Sequence, residues 1–217
     1  MTTYATSYLD AIAHLPAGGK LILYNVTWEE YEQLLDELKD RALRVSYIRG
    51  RLEIMSPSLP HERPKEMLLR LVSVLADEID LTLETAGSTT FKDEQLAMGA
   101  EPDTCFYVQN AALIIGRDSI DLTCDPPPDV VVEIDIWSES TGKMGFYAAI
   151  GVPEFWRYDK RQLRIYHLSE QGYVEAPASL AFPLLTGEAL TRFLEQSKSE
   201  GQSATLRAFR EWLRAAH

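Results

Sequence analysis

Cysteine is scarce. The chain has 217 residues and two of them are cysteines, Cys105 and Cys124, too few for a disulfide framework. Cys105 lies in an apolar, strand-like run and reads as a small buried hydrophobe. No apolar run reaches the roughly 20 residues that a membrane-spanning helix needs. The opening segment "MTTYATSYLDAIAHLPAGGK" has neither the charged start nor the uninterrupted apolar core of a signal peptide, so the expected location is the cytoplasm. Positive charge is also short: 21 Lys and Arg stand against 33 Asp and Glu, a net charge of -12. Such a balance favours solubility and counts against high-affinity binding of DNA through bulk electrostatics. There is no glycine-rich phosphate loop, no nucleophile elbow and no paired-cysteine metal motif. His14, His167 and His217 are scattered without metal-ligand spacing. Internal repeats and long low-complexity linkers are absent.

What remains is an ordinary globular composition, 46% hydrophobic and 25% charged, long enough to bury a core. The pattern predicts one domain over residues 1–217. Its core covers about 27–175, and a C-terminal helical extension covers about 186–217. "VTWEEYEQLLDELKDR" predicts a helix capped by Thr27, with Glu30 completing a capping box and Tyr31, Leu34, Leu35 and Leu38 forming its apolar stripe. "RVSYIRGRLEIMSP" predicts two short strands turning at Arg49-Gly50. "HERPKEMLLRLVSVLADEID" predicts a second helix starting near Pro64, with Leu68, Leu71, Val72 and Leu75 facing the core. Two extended pieces follow within "STTFKDEQLAMGAEPDTCFYVQN". "STGKMGFYAAIG" predicts a helix capped at Gly151, "PEFWRYD" a strand and "QLRIYHLSEQGYVEA" a hairpin. The tail predicts two helices. Trp137, Phe155 and Trp156 are expected in the core. Arg207, Arg210 and Arg214 form a stripe on the last helix, expected to be a solvated face. This order of elements is an α+β fold.

The stretch "PPPDVVVEIDIWSES" carries the chemical question. Alternation along a strand puts Val130, Val132, Ile134 and Ile136 on one face and Asp129, Val131, Glu133 and Asp135 on the other. Either the acidic face meets bulk water, or its carboxylates are held for chemistry. Asp103, in "EPDTCFYV", opens another strand, and Lys143 lies near the start of the helix after the acidic strand. If the two strands pair, Asp103 and Glu133 can share a hard divalent cation, which prefers carboxylate oxygens and keeps several waters. A lysine beside them can orient a water and steady charge on a phosphate. Glu53, on the same face as Met55 in "GRLEIMSP", is a further candidate for the carboxylate cluster.

At these residues the sequence resembles a known family. "EPDTCFYV", "PPDVVVEIDIWSES" and "KMGFYAAIGVPEFWRYD", together with "VTWEEYEQLLDEL" and "GRLEIMSPSLPHE", are similar to the Uma2 family of the PD-(D/E)XK, restriction-endonuclease-like group. The resemblance runs from about Thr27 to about Asp159. It implies a restriction-endonuclease-like core, a mixed central sheet flanked by helices, and Mg²⁺- or Mn²⁺-dependent cleavage of DNA, often by a homodimer. Asp103 takes the first acidic position and Glu133 the second, while His61 matches a histidine common at that place. The lysine expected two residues after the second acid is here Asp135, a candidate third metal-facing oxygen. Lys143 is then the candidate for a lysine moved onto the helix. A chain with an inactive site, serving as a binding or scaffold module, is the alternative. A carboxylate-pair glycosidase is a third option that nothing in the spacing demands.

Overall fold

The structure is a computed structural model that describes residues 3–216 except 88 and 137–140; Trp137 and His217 lie outside the described residues. The elements in chain order are α1 (Thr3–Ala13), β1 (Lys20–Leu23), α2 (Trp28–Leu38), β2 (Arg44–Ile48), β3 (Arg51–Met55), α3 (Leu59–Glu78), β4 (Glu84–Thr85), β5 (Phe91–Asp93), β6 (Met98–Ala100), β7 (Thr104–Tyr107), α4 (Ala111–Ile114), β8 (Val130–Ile134), α5 (Thr141–Ala149), β9 (Glu154–Tyr158), β10 (Leu163–Ser169), β11 (Gly172–Ala176), α6 (Gly187–Glu200) and α7 (Gln202–Ala216).

The strands form two sheets. Five antiparallel strands run in the order β1-β3-β2-β6-β5, and six strands run in the order β11-β10-β9-β8-β7-β4. The second sheet is the expected mixed one: β8 and β9 pair in parallel, linked by α5, and its other neighbours are antiparallel. That the N-terminal strands form a separate sheet is not visible in the sequence pattern, because alternation reveals a strand's faces and not its neighbours.

Three apolar clusters set the layers. α3, α6 and α7 cover one face of the mixed sheet, with Leu68, Leu71, Val72 and Leu75 packed beside Val130, Val132, Phe106 and Trp156. The opposite face carries Val131, Cys105, Tyr107 and Phe155, and is closed by Phe146 and Tyr147 of α5 with Phe91 and Met98 of the antiparallel sheet. The far side of that sheet packs Val45, Tyr47, Leu52 and Ile54 against Tyr31, Leu34 and Leu38 of α2. Arg210 and Arg214 lie on the exposed helix face expected of them and both pair with Glu78 of α3.

Local chemistry explains most of the boundaries. Thr27 and Glu30 form the reciprocal capping box at the start of α2. Arg49 and Gly50 both have positive φ, 47° and 88°, which is the two-residue turn whose twist suits a hairpin. The second helix departs from expectation. α3 begins at Leu59 rather than near Pro64, because Ser58 O accepts from the main-chain N–H of both His61 and Glu62. Pro60 sits in the first turn, where an N–H is not needed, and Pro64 is carried inside the helix. His61 therefore belongs to a helical turn and not to a loop.

Gly99 of β6 is required for space. A Cβ there would lie 2.9 Å from Tyr31 Cζ and closer still to its hydroxyl oxygen, while Tyr31 stacks on Tyr47 with centroids 4.8 Å apart. Among the described residues, the buried Tyr31 hydroxyl has no hydrogen-bond partner. Gly99→Ala is therefore expected to destabilise the fold by about 1–3 kcal/mol through overpacking. Tyr31→Phe, which removes an unsatisfied hydroxyl, should be near neutral and should recover part of that loss when combined. Urea denaturation checks this; an unchanged midpoint for Gly99→Ala would show that the tyrosine stack yields freely.

Candidate active site

β7 and β8 pair antiparallel with Thr104 opposite Val132, and Asp103 N–H donates to Val132 O at 3.1 Å. Continuing the register by one residue sets Asp103 opposite Glu133. Directly opposed residues project to the same side with Cβ atoms about 5 Å apart. Both are 3% exposed, so the acidic side of β8 does not meet bulk water.

Glu133 is met by two groups of α5 that lie four residues apart and hence on one helix face. Lys143 Nζ donates to its two oxygens at 3.1 and 2.9 Å, and the Tyr147 hydroxyl donates to Oε1 at 2.7 Å. Lys143 also donates to Glu101 O at 3.3 Å. Burial drives the Glu133 pKa upward, the Lys143 ammonium opposes it and the Asp103 charge adds to it, leaving Glu133 at about 7. Burial disfavours the Lys143 cation, but Glu133 and Asp103 together hold its pKa above the ordinary lysine value. Lys143 is thus a charged donor at neutral pH.

Asp103 is held from three sides. Its Oδ2 accepts from Ile134 N–H at 2.6 Å and lies 3.1 Å from His61 Nε2, while Arg44 Nε stands 4.0 Å from Oδ1. Burial would raise its pKa, but His61 and then Lys143 outweigh that and hold Asp103 below the usual carboxylate range. His61 Nδ1 lies 3.2 Å from Glu62, which Lys65 also engages at 2.6 Å. Burial alone would depress the His61 pKa; its hydrogen bonds to Asp103 and Glu62 reverse this and lift it to about 9.

The remaining wall comes from the antiparallel sheet. Arg44, Ser46 and Ile48 of β2, and Arg51, Glu53 and Met55 of β3, alternate away from the Val45 and Leu52 core. With Asp103, Glu133, His61 and Lys143 they line a cavity of about 50 Å³ between the sheets. That is room for a cation with a small number of waters. All six candidates read from the sequence border this cavity, but not equivalently. Glu53 is paired to Lys20 at 2.5 Å and Arg51 at 2.8 Å, which hold its pKa down against burial. Asp135 Oδ2 accepts from Arg157 Nε at 2.5 Å. Asp129, at the other end of β8, receives Val108 N–H and Asn110, tying down a loop.

Sequence reasoning missed Arg44, Glu101, Tyr147 and Arg157. The four-residue spacing from Lys143 is the signal that could have exposed Tyr147. Arg157 has no local signal, since it is the register of β9 against β8 that places it opposite Glu133. Arg44 has none, because its approach depends on how one sheet lies against the other.

Among the described residues, no group of three His, Cys, Asp or Glu side chains is arranged to hold a metal ion. The donor set on hand is two carboxylates from neighbouring strands, and among the described residues Asp103 Oδ1 makes no hydrogen bond. Two carboxylates beside a small cavity fit an oxygen-seeking divalent ion that retains waters, as Mg²⁺ does. They do not form a complete protein cage.

A mixed sheet presenting buried acids at the junction of two strands, with helices on its outer face, is an α+β fold. The same fold occurs in a crystal structure described as that of a putative nuclease from Anabaena variabilis. The match has a TM-score of 0.54 and 17% identity, and covers 78% of this chain and 99% of that one. At that identity the likeness speaks for the fold alone. No curated protein matches the chain in sequence. The family model described as "Putative restriction endonuclease" matches residues 28–196, and the chain belongs to that family, Uma2.

The His61 pairings generate a pH prediction. With its folded pKa raised from 6.5 to about 9, the stability contributed by His61 is fully present below 6.5. It is lost as pH rises through about 9. In metal-free protein the His61 imidazole should titrate near 9 by NMR, and His61→Asn should flatten the fall in stability between those values. A His61 resonance titrating near 6.5 would contradict the pairing.

Proposed function

We propose that the protein is a metal-dependent endonuclease that hydrolyses DNA phosphodiester bonds, with Asp103 and Glu133 holding Mg²⁺ or Mn²⁺ and Lys143 acting on the attacking water. The observation that carries this reading is the convergence of two buried carboxylates from adjacent strands with a buried lysine at one cavity. Membership of the Uma2 family supports the same class of reaction. When bound, the ion supplies Lewis-acid polarisation of the phosphate oxygens.

The chain's own residues do the rest. Lys143 stays protonated, so it serves as a donor that orients the water and offsets charge gathering on the phosphate. The water oxygen bonds to phosphorus and releases a proton to solvent as the bond to the leaving oxygen breaks; the leaving oxygen takes up a proton, giving a hydroxyl and a phosphate monoester. Tyr147 fixes one oxygen of Glu133, and His61 fixes one oxygen of Asp103, so both carboxylates are positioned before substrate arrives. Asp135 adds a third oxygen only by loosening its hold on Arg157. Glu53, neutralised by Lys20 and Arg51, shapes the wall.

The whole chain acts as one domain in this reading, since α6 and α7 pack on α3, whose first turn supplies His61. DNA is the substrate despite the net charge of -12. The cavity itself is locally balanced, with Arg44, Arg51, His61 and Lys143 facing Glu53, Asp103, Glu133 and Asp135. Paired cutting of both strands is the work of a homodimer in this reading.

Purified protein is expected to nick supercoiled DNA in Mg²⁺ or Mn²⁺ and to stop when the ion is chelated. Asp103→Asn and Glu133→Gln should each lower the rate by a factor on the order of 100 or more, with folding checked by circular dichroism. Cleavage that survives Asp103→Asn would remove the site from the reaction. A wild-type chain inert with every divalent ion would leave the nuclease fold as a binding module.

A further inference from the structure

We propose that Arg44 is the residue that binds the substrate's phosphate, a reading that rests on the nuclease function above and specifies how its anion is held. Arg44 opens β2 on the face that carries Ser46 and Ile48, and it lines the same cavity as Asp103, Glu133 and Lys143. Its side chain is 14% exposed. Its Nε is fully buried and, among the described residues, has no hydrogen-bond partner. The nearest anionic atom is Asp103 Oδ1 at 4.0 Å, beyond hydrogen-bond reach, and Nη1 makes only a long contact to Leu43 O at 3.4 Å.

Buried donors are nearly always satisfied, and a guanidinium cannot escape by losing its proton. Every other cation lining this cavity is hydrogen-bonded to a carboxylate: Lys143 to Glu133, Arg51 to Glu53, and His61 to Asp103 and Glu62. Among the described residues Arg44 is the cavity cation that is not. A carboxylate pair repels a phosphate, so anion entry needs a donor whose charge is not already committed. The planar guanidinium fork matches a phosphate's oxygens better than an ammonium does. Arg44 stands beside the free oxygen of Asp103, so a phosphate oxygen on its Nε would sit next to the proposed ion site.

The test uses the full chain and inorganic phosphate as the probe, in metal-free buffer, followed by the arginine Nε–H resonances in NMR. The Arg44 resonance should shift saturably. Arg44→Gln should weaken phosphate binding by a factor on the order of 10 to 100, and Arg44→Lys, which keeps the charge and loses the fork, should also weaken it. In DNA cleavage with Mn²⁺, Arg44→Lys should raise KM for DNA as well as lower kcat. If Arg44→Gln does not fold, Arg44→Lys alone decides.

Wild-type protein that binds no phosphate, or variants that bind it as tightly as wild type, would overturn the assignment, as would wild-type kcat/KM in Arg44→Lys. Phosphate binding lost with Arg44 in a chain that never cleaves DNA would keep Arg44 as an anion site and sink the nuclease reading instead.

Discussion

A carboxylate buried inside a sheet is tolerated only when its oxygens are met by donors, and Glu133 is the group on which this constraint falls. It sits on a strand whose five residues are all buried, so bulk water does not solvate it. Lys143 and Tyr147 meet it from α5. That requirement restricts the rotation of α5 against the sheet, because only residues three or four apart on one face can both reach the carboxylate. The placement of the helix, the closure of the second apolar cluster by Phe146 and Tyr147, and the floor of the cavity all follow from it. Asp103 repeats the logic one strand away. Its bond to Ile134 N–H and its contact with His61 tie β7, β8 and the first turn of α3 into one unit.

The two acids are nevertheless in different electrostatic states. Asp103 lies between a cationic histidine and a main-chain donor and is held ionised. Glu133 shares its lysine with a second negative charge nearby, and burial lifts it to about 7. One carboxylate is thus committed as an anion while the other stands near its titration point at neutral pH. A divalent ion placed between them would relieve the strain of keeping both charged, which is the physical reason that such a pair suits a metal.

Much of this is legible in the sequence. The alternation in "DVVVEIDIW" separates Val130, Val132 and Ile134 from Glu133, and "DTCFYV" does the same for Asp103, so the pairing of two strands suffices to bring the acids together. The capping box at Thr27 and the turn at Arg49-Gly50 are equally readable, since both are local chemistry. The N-terminus of α3 is misread because Pro64 looks like a start signal, whereas main-chain bonds to Ser58 and a first-turn Pro60 begin the helix earlier. The pairing of Asp135 with Arg157 and the approach of Arg44 are not readable. They depend on the register of parallel strands and on how the second sheet lies across the first, and neither is encoded in a local pattern.

If Asp103 and Glu133 hold one metal ion between them, the anomalous signal of crystals grown with Mn²⁺ will reveal it. A single strong peak is expected in the cavity, within coordination distance of oxygens from both Asp103 and Glu133, and with Lys143 Nζ beside it. An empty cavity at saturating Mn²⁺, or a peak bound to only one of the two carboxylates, would contradict it.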